Sequence, residues 1–215
     1  MTNSEIGAGE FYPVVGVGPH PQPWPAGPQY DQELLANGDR RNVLDKYRYW
    51  SVAAIVADLD QRRNPLHIAI ENWQHDLNIG SIVRTANAFN VAGVHIVGKR
   101  DWNRRGAMVT DKYLQIYHHP DIATFKSWFD ERGIEIIGID NVPGSTALES
   151  AVLPANCVLL FGQEGAGMSD AGVAACSRIL AIAQYGSTRS MNASAAGAIA
   201  MYAWGMQHLS AQRRD

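Results

Sequence analysis

Three short stretches hold most of the residues able to do chemistry. The first, "ENWQHDLNIGSIVR", covers residues 71–84; the second, "GQEGAGMS", covers 162–169; the third, "QYGSTRSMN", covers 184–192. The helical pattern of "HDLNIGSIVRTANAF" puts Ile79, Ile82, Val83, Ala86 and Phe89 on one apolar face. Arg84 stands among them with no acidic residue within four positions. A guanidinium is a permanent charge with a rigid fork of donors, suited to a phosphate or a developing oxyanion. The plainer alternative is a flank arginine whose stem lies on apolar surface and whose head reaches water.

In the second stretch, Gly162, Gly165 and Gly167 allow positive φ and close approach of main chain to a ligand. The glycine order does not match a dinucleotide fingerprint, and "ILAIAQY" ends without the acidic residue such a site needs. Met168 stands where a Walker loop requires lysine. The third stretch brings Ser187, Thr188, Arg189, Ser190 and Asn192 to the entry of a helix, where Ser190 or Asn192 can cap it. The small residues of "NASAAGAIA" admit a close neighbour, either a chain segment, a second subunit or a ligand.

The elements that position these stretches alternate. Strands are expected at 66–71, 93–98, 134–140, 157–162 and 178–184, and helices from Asn78 (read as the cap) to 89, at 121–133, near 169–176 and at 192–209. Strands apolar on both faces and separated by helices predict an α/β fold with a mostly parallel sheet covered on both sides. The three stretches then follow strand carboxyl ends, where open α/β sheets bind ligands. Residues 1–64 are expected to form a separate amino-terminal part, with a Pro/Gly-rich arm to about 30 and a helical extension interrupted at Gly38-Asp39; residues 65–215 form the main domain.

Composition narrows the function classes. Net charge is −3, which argues against a generic nucleic-acid coat, yet residues 40–112 hold twelve Lys/Arg against seven Asp/Glu. Clusters such as "KYRYW" and "KRDWNRR" offer a local phosphate-binding face. The amino terminus does not read as a secretory signal, and no apolar run is long enough to span a bilayer, so a soluble cytoplasmic protein is expected. Cys157 and Cys176 have no metal-ligand spacing and are expected to behave as small hydrophobes; "HH" at 118–119 lacks a third ligand, so no metal is expected.

In this order and spacing the three stretches resemble the motifs of the SpoU/TrmH family of RNA ribose methyltransferases, in the SPOUT class. The matches are "NIGSIVRTANAF", "LLFGQEGAGMS" and "IAQYGSTRSMNASAAGAIA", and the similar region runs from about 66 to 208. Ala183 stands where the family commonly has proline, and Met191 where leucine is usual. The resemblance implies a deep trefoil knot in the carboxyl-terminal portion, S-adenosylmethionine bound there, an obligate homodimer, and methyl transfer to a ribose 2′-hydroxyl of transfer or ribosomal RNA.

The resemblance also implies roles for single residues. Leu160, Gly162, Ile182, Gln184, Met191 and Ala196 would hold the cofactor. Arg84, Asn78, Glu164, Ser190 and Asn192 would form the catalytic set, with Arg84, Arg104, Arg105 and Arg189 meeting RNA. Whether Arg84 serves as a base or as a positioning and electrostatic group stays open. A base methyltransferase on the same scaffold and a non-catalytic RNA-binding factor are the alternatives. The first would need a proton acceptor facing a base nitrogen; the second is disfavoured by the presence of Arg84 and Asn192.

Overall fold

The computed structural model describes residues 16–73, 78–163, 165–188 and 190–209. The chain contacts separate two compact units, Met1–Asp58 and Leu59–Asp215, with the boundary inside a helix. In the first unit lie α1 (Gln32–Asn37) and most of α2 (Val52–Asp60). Asp31 caps α1, its carboxylate accepting from the amides of Glu33 and Leu34. From residue 16 onward the amino-terminal arm is tied down by bridges Val17↔Asp39 and Tyr30↔Trp50. Asp39 is fully buried. Burial by itself would raise its carboxyl pKa, but the forked Arg41 guanidinium and the amides of Arg41 and Tyr49 outweigh that and bring it down to about 2.

The second unit contains a seven-stranded sheet. Its strands are β1 (Asn64–Asn72), β2 (Val91–Gly98), β3 (Ile116–His119), β4 (Glu135–Ile139), β5 (Thr146–Ala147), β6 (Cys157–Phe161) and β7 (Arg178–Ala181). The order is β3-β2-β1-β6-β4-β7-β5, and every pairing is parallel. Strand β6 inserts between β1 and β4, so the loop leaving it emerges beside the carboxyl ends of both neighbours. The remaining helices are α3 (Asn78–Ala88), α4 (Ile122–Asp130), α5 (Asp170–Ala175) and α6 (Ala193–His208).

Strand pleating divides the core into two layers. Leu66, Ile68 and Ile70 of β1 and Cys157, Leu159 and Phe161 of β6 pack with Ile79, Ile82 and Val83 of α3 and Met201 and Trp204 of α6. The intervening residues Ala69, Val158 and Leu160 pack with Phe125 and Phe129 of α4 and Ala175 of α5. Helices therefore cover both faces, as continuous apolar strands require. Small residues bring α3 and α6 together: a Cβ on Gly197 would lie 3.3 Å from Ile82, and one on Gly205 would lie 3.0 Å from Phe89.

Several boundaries differ from the sequence expectation. Asn78 is the first residue inside α3 rather than outside it as a cap. The strand expected to reach 184 stops at Ala181, freeing Ile182–Gln184 for other contacts. Helix α4 ends at Asp130, and Gly133 takes a positive φ of 62° in the turn that follows. The edge strands β3 and β5 carry no apolar run to announce them; "IYHH" and a two-residue strand are set by pairing to a neighbour. Burial pushes the thiols of Cys157 and Cys176 up to about 12, so both stay protonated at neutral pH. Among the described residues no helix is long and apolar enough to cross a membrane.

Under α4 runs a chain of three histidines on adjacent strands. His67 Nδ1 meets His95 Nε2 at 3.0 Å, and His95 Nδ1 meets His119 Nε2 at 2.9 Å. In each pair one nitrogen donates and the other accepts, which neutral imidazoles satisfy in a single direction along the chain. Phe125, Trp128 and Phe129 pack around His95. Burial first, then the neighbouring imidazoles and Arg132, lowers the His95 pKa to about 2; burial and Arg132 lower His67 to about 4. The unfolded chain, titrating near 6.5, binds these protons first, so stability is full above about pH 6.5 and falls as pH drops toward 4. Urea unfolding at pH 7.5 and 5.0 should show a loss on the order of 1 kcal/mol per pH unit for each such histidine. The loss should shrink in His95→Gln, and an unchanged midpoint at pH 5.0 would contradict buried neutral imidazoles.

Candidate active site

The described residues enclose a cavity of about 610 Å³ at the carboxyl ends of β4, β6 and β7 and the start of α6. Its wall combines apolar Ile139, Phe161, Ile182 and Met191 with polar Asp140 and Gln163. The loop after β6 forms one side by folding back on itself. Gln163 and Gly167 exchange main-chain hydrogen bonds of 3.2 and 3.1 Å. A Cβ on Gly162 would lie 2.2 Å from the Gly167 carbonyl carbon, so no larger residue fits without moving the loop.

Two carboxylates fasten the returning end of this loop. Asp140, just past β4, accepts the Met168 amide at 2.7 Å on Oδ2 and the Asn141 amide at 2.7 Å on Oδ1. Glu71, near the end of β1, accepts the Ser169 amide at 3.2 and 3.3 Å and the Trp73 indole N–H at 2.6 Å. The loop is thus gripped from the strands on either side of β6 through successive amides. Glu71 is fully buried, and Gly172 makes room for it: a Cβ there would lie 2.1 Å from Oε1. Sequence inspection gave Glu71, Asp140 and Gln163 no role. The one available signal was an acidic residue ending an otherwise apolar strand.

The third stretch closes the cavity. Asn192 caps α6, its side-chain oxygen accepting from the amides of Ser194 at 3.0 Å and Ala195 at 3.3 Å. Its Nδ2 donates to Asn78 Oδ1 at 2.8 Å, joining the start of α6 to the start of α3. Of the residues expected around a cofactor, Gly162, Ile182, Gln184, Met191 and Ala196 line the cavity, as do Ser190 and Asn192. Leu160 is not among the lining residues; its side chain is fully buried in the core layer under α4 and α5. Glu164 and Arg189 lie outside the described residues.

Arg84 is exposed on α3 and is not among the residues lining the cavity. Its guanidinium has no hydrogen bond or ion pair with any described residue. The turn carrying Arg104 and Arg105 is pinned to the same helix. Cβ atoms on Gly80 and Gly106 would approach the opposite main chain to 2.8 and 2.9 Å respectively. Asn72 steadies the segment before that turn, donating to the carbonyls of Lys99 and Asp101 at 2.7 and 3.0 Å. Among the described residues no cluster of His, Cys, Asp and Glu could hold a metal ion.

A family model described as the SpoU rRNA methylase family matches residues 65–202, from β1 into α6. The chain belongs to the SpoU rRNA methylase family. An uncharacterized tRNA/rRNA methyltransferase of Synechocystis sp. is 30% identical over 73% of this chain and 42% of its own length. One from Mycobacterium bovis is 29% identical over 69% of this chain and 47% of its own. The chain therefore spans about half the length of these curated relatives. The fold resembles that of the A. aeolicus TrmH/SpoU tRNA modifying enzyme, with a TM-score of 0.66 and 23% identity over 75% of this chain and 84% of that one. It also resembles the SpoU methyltransferase AviRb from Streptomyces viridochromogenes, solved with AdoMet, with a TM-score of 0.61 and 24% identity over 71% of this chain and 62% of that one.

Within this SpoU domain, Glu71 is a fully buried carboxylate on which the returning end of the loop depends. Glu71→Ala strands the Ser169 amide and the Trp73 indole without an acceptor, lowering unfolding stability by about 2 kcal/mol or more. Hydrogen exchange at Ser169, whose amide Glu71 accepts, should accelerate, and Glu71→Gln should recover part of both effects. Unchanged exchange at Ser169 in Glu71→Ala would disprove the clamp.

Proposed function

We propose that this chain transfers a methyl group from S-adenosylmethionine to a ribose 2′-hydroxyl of transfer or ribosomal RNA. The observation that carries the proposal is the junction of Asn192 with Asn78, which ties the cavity to the helix bearing Arg84, a guanidinium with no partner among the described residues. The cavity suits the cofactor on its own chemistry. Apolar side chains of Ile139, Ile182 and Met191 fit a flat ring, and Gln163 Oε1 is a buried acceptor with no donor among the described residues. Gly162, Ile182, Gln184, Met191 and Ala196 would hold it, and the main-chain carbonyl at Leu160 belongs to the strand beneath. When bound, the cofactor supplies a methyl group already activated on a sulfonium.

The protein then has to orient the hydroxyl and favour its developing negative charge. Arg84 serves as a fork donating to the ribose oxygen and an adjacent phosphate, keeping its own proton, since a guanidinium stays charged in proteins. The hydroxyl proton passes to an oxygen of that substrate phosphate, and from there to water, as the oxygen–methyl bond forms and the sulfur–methyl bond breaks. The RNA phosphate is the partner that Arg84, exposed on α3, lacks among the described residues. Ser190 and Asn192 orient the acceptor at the cavity rim, with Asn78 holding Asn192. Alignment of this kind can supply roughly 7–11 kcal/mol of the barrier. Glu164 and Arg189 keep the roles implied by the motif match, steadying the loop and meeting a phosphate. Asp140 bears on the base-methylating alternative: it is the carboxylate among the described residues lining the cavity, and each of its oxygens accepts a main-chain amide, which makes it a loop anchor.

The same proposal includes a knotted carboxyl-terminal portion and a homodimer. Insertion of β6 between β1 and β4 is compatible with threading. A stripe of exposed apolar residues on α6, Ile199, Tyr202 and Met206, supports pairing with a second copy. Purified protein should bind S-adenosylmethionine by calorimetry and yield 2′-O-methylated nucleosides after complete digestion of treated RNA. Arg84→Ala should keep the cofactor dissociation constant within about twofold while turnover drops about a hundredfold or more. Methylated bases with unmodified riboses, or full turnover in Arg84→Ala, would overturn the assignment.

A further inference from the structure

The turn between β2 and β3 holds its most exposed apolar residues in a costly conformation. Met108 and Val109 have φ values of 48° and 70°, consecutive left-handed residues that are not glycine. A β-branched residue seldom adopts this region, and such strain persists only where surrounding contacts enforce it. Those contacts are present. Asn103 caps the short 3-10 turn Arg104–Ala107, accepting the Arg105 amide at 3.0 Å. Thr110 Oγ1 donates to the Ala107 carbonyl at 2.7 Å, and Arg63 donates to the Tyr113 carbonyl at 3.0 Å. The Gly80–Gly106 crossing pins the whole to α3.

What this frame presents is an apolar tip in a basic setting. Met108 is 64% and Val109 56% exposed. Residues 99–112 contain five Lys/Arg against two Asp/Glu in a chain of net charge −3. Arg105 and Lys112 are exposed with no side-chain partner among the described residues. Arg104 lies over the Trp102 ring at 5.4 Å and pairs with Asp111 at 3.1 Å.

We infer that this turn is a wedge for an unpaired nucleotide of the RNA substrate, with Met108 and Val109 against the base and Arg105 and Lys112 on the flanking phosphates. The inference rests on the methyltransferase proposal and goes further by assigning the substrate class: RNA offering a single-stranded loop rather than a duplex. A stacked, paired base offers no face to an apolar tip, whereas a looped-out base does. Basic side chains beside that tip match the charge of the strand that carries the base.

The test compares a hairpin RNA with a seven-nucleotide loop to a blunt duplex of equal length, by fluorescence anisotropy on the full chain. Wild-type protein should prefer the hairpin, and Met108→Ser and Val109→Gly should each weaken hairpin binding about tenfold while leaving duplex binding alone. Val109→Gly should melt at the same or a higher temperature, because glycine relieves the strained φ, which separates a lost contact from a lost fold. Arg105→Ala should instead reduce the salt dependence by about 0.7 in log–log slope, the share of one single-strand phosphate. Wild-type hairpin affinity in both tip variants overturns the wedge. So does a shift to a smaller species on sedimentation, which would make the turn a contact between copies. Tip-dependent hairpin binding by a protein that methylates only bases would sink the ribose proposal and leave the wedge standing.

Discussion

The loop after β6 stays in place because two carboxylates from different strands accept successive amides at its returning end. Asp140 takes Met168, and buried Glu71 takes Ser169. Each anchor sits at or just past the carboxyl end of a strand flanking β6, so sheet order turns directly into loop geometry. With the loop fixed, Gly162 and Gly167 can touch, the cavity has a wall, and Gln163 can keep an acceptor buried. The asparagine pair at positions 78 and 192 couples this wall to α3. Few other arrangements would let a glycine-rich segment hold one shape, since glycine loses the most conformational freedom on folding.

Close approach recurs wherever one element must be located by another. Gly80 and Gly106 set the basic turn against α3, and Gly197 and Gly205 set α6 against the same helix. Helix α3 is therefore held on two sides, and Arg84 on its exposed face has no hydrogen bond or ion pair with any described residue. The rigidity lies in the scaffold, and Arg84, Arg105 and Lys112 stand exposed at its surface. The strained pair Met108–Val109 follows the same division, with its cost borne by a frame of hydrogen bonds on either side.

The histidine chain under α4 serves the fold rather than the cavity. Its members occupy three neighbouring strands and satisfy one another where apolar residues would otherwise be expected. Such a network ties edge strand β3 to the interior and makes that edge sensitive to acid. Its aromatic cover, including Trp128 beneath the Arg132 guanidinium at 3.8 Å, keeps the imidazoles neutral.

Much of this was legible in the amino-acid order. Continuous apolar runs specified the buried strands, glycine and serine or asparagine marked the loops, and three ordered motifs pointed to the family. These are local patterns, and local physics reads them. Tertiary structure alone decided the partnerships across long separations: Glu71 with Ser169, 98 residues apart, and Asn78 with Asn192, 114 apart. It also decided that "IYHH" pairs as an edge strand and that His67, His95 and His119 form one chain, because register between strands, not composition within them, brings those rings together.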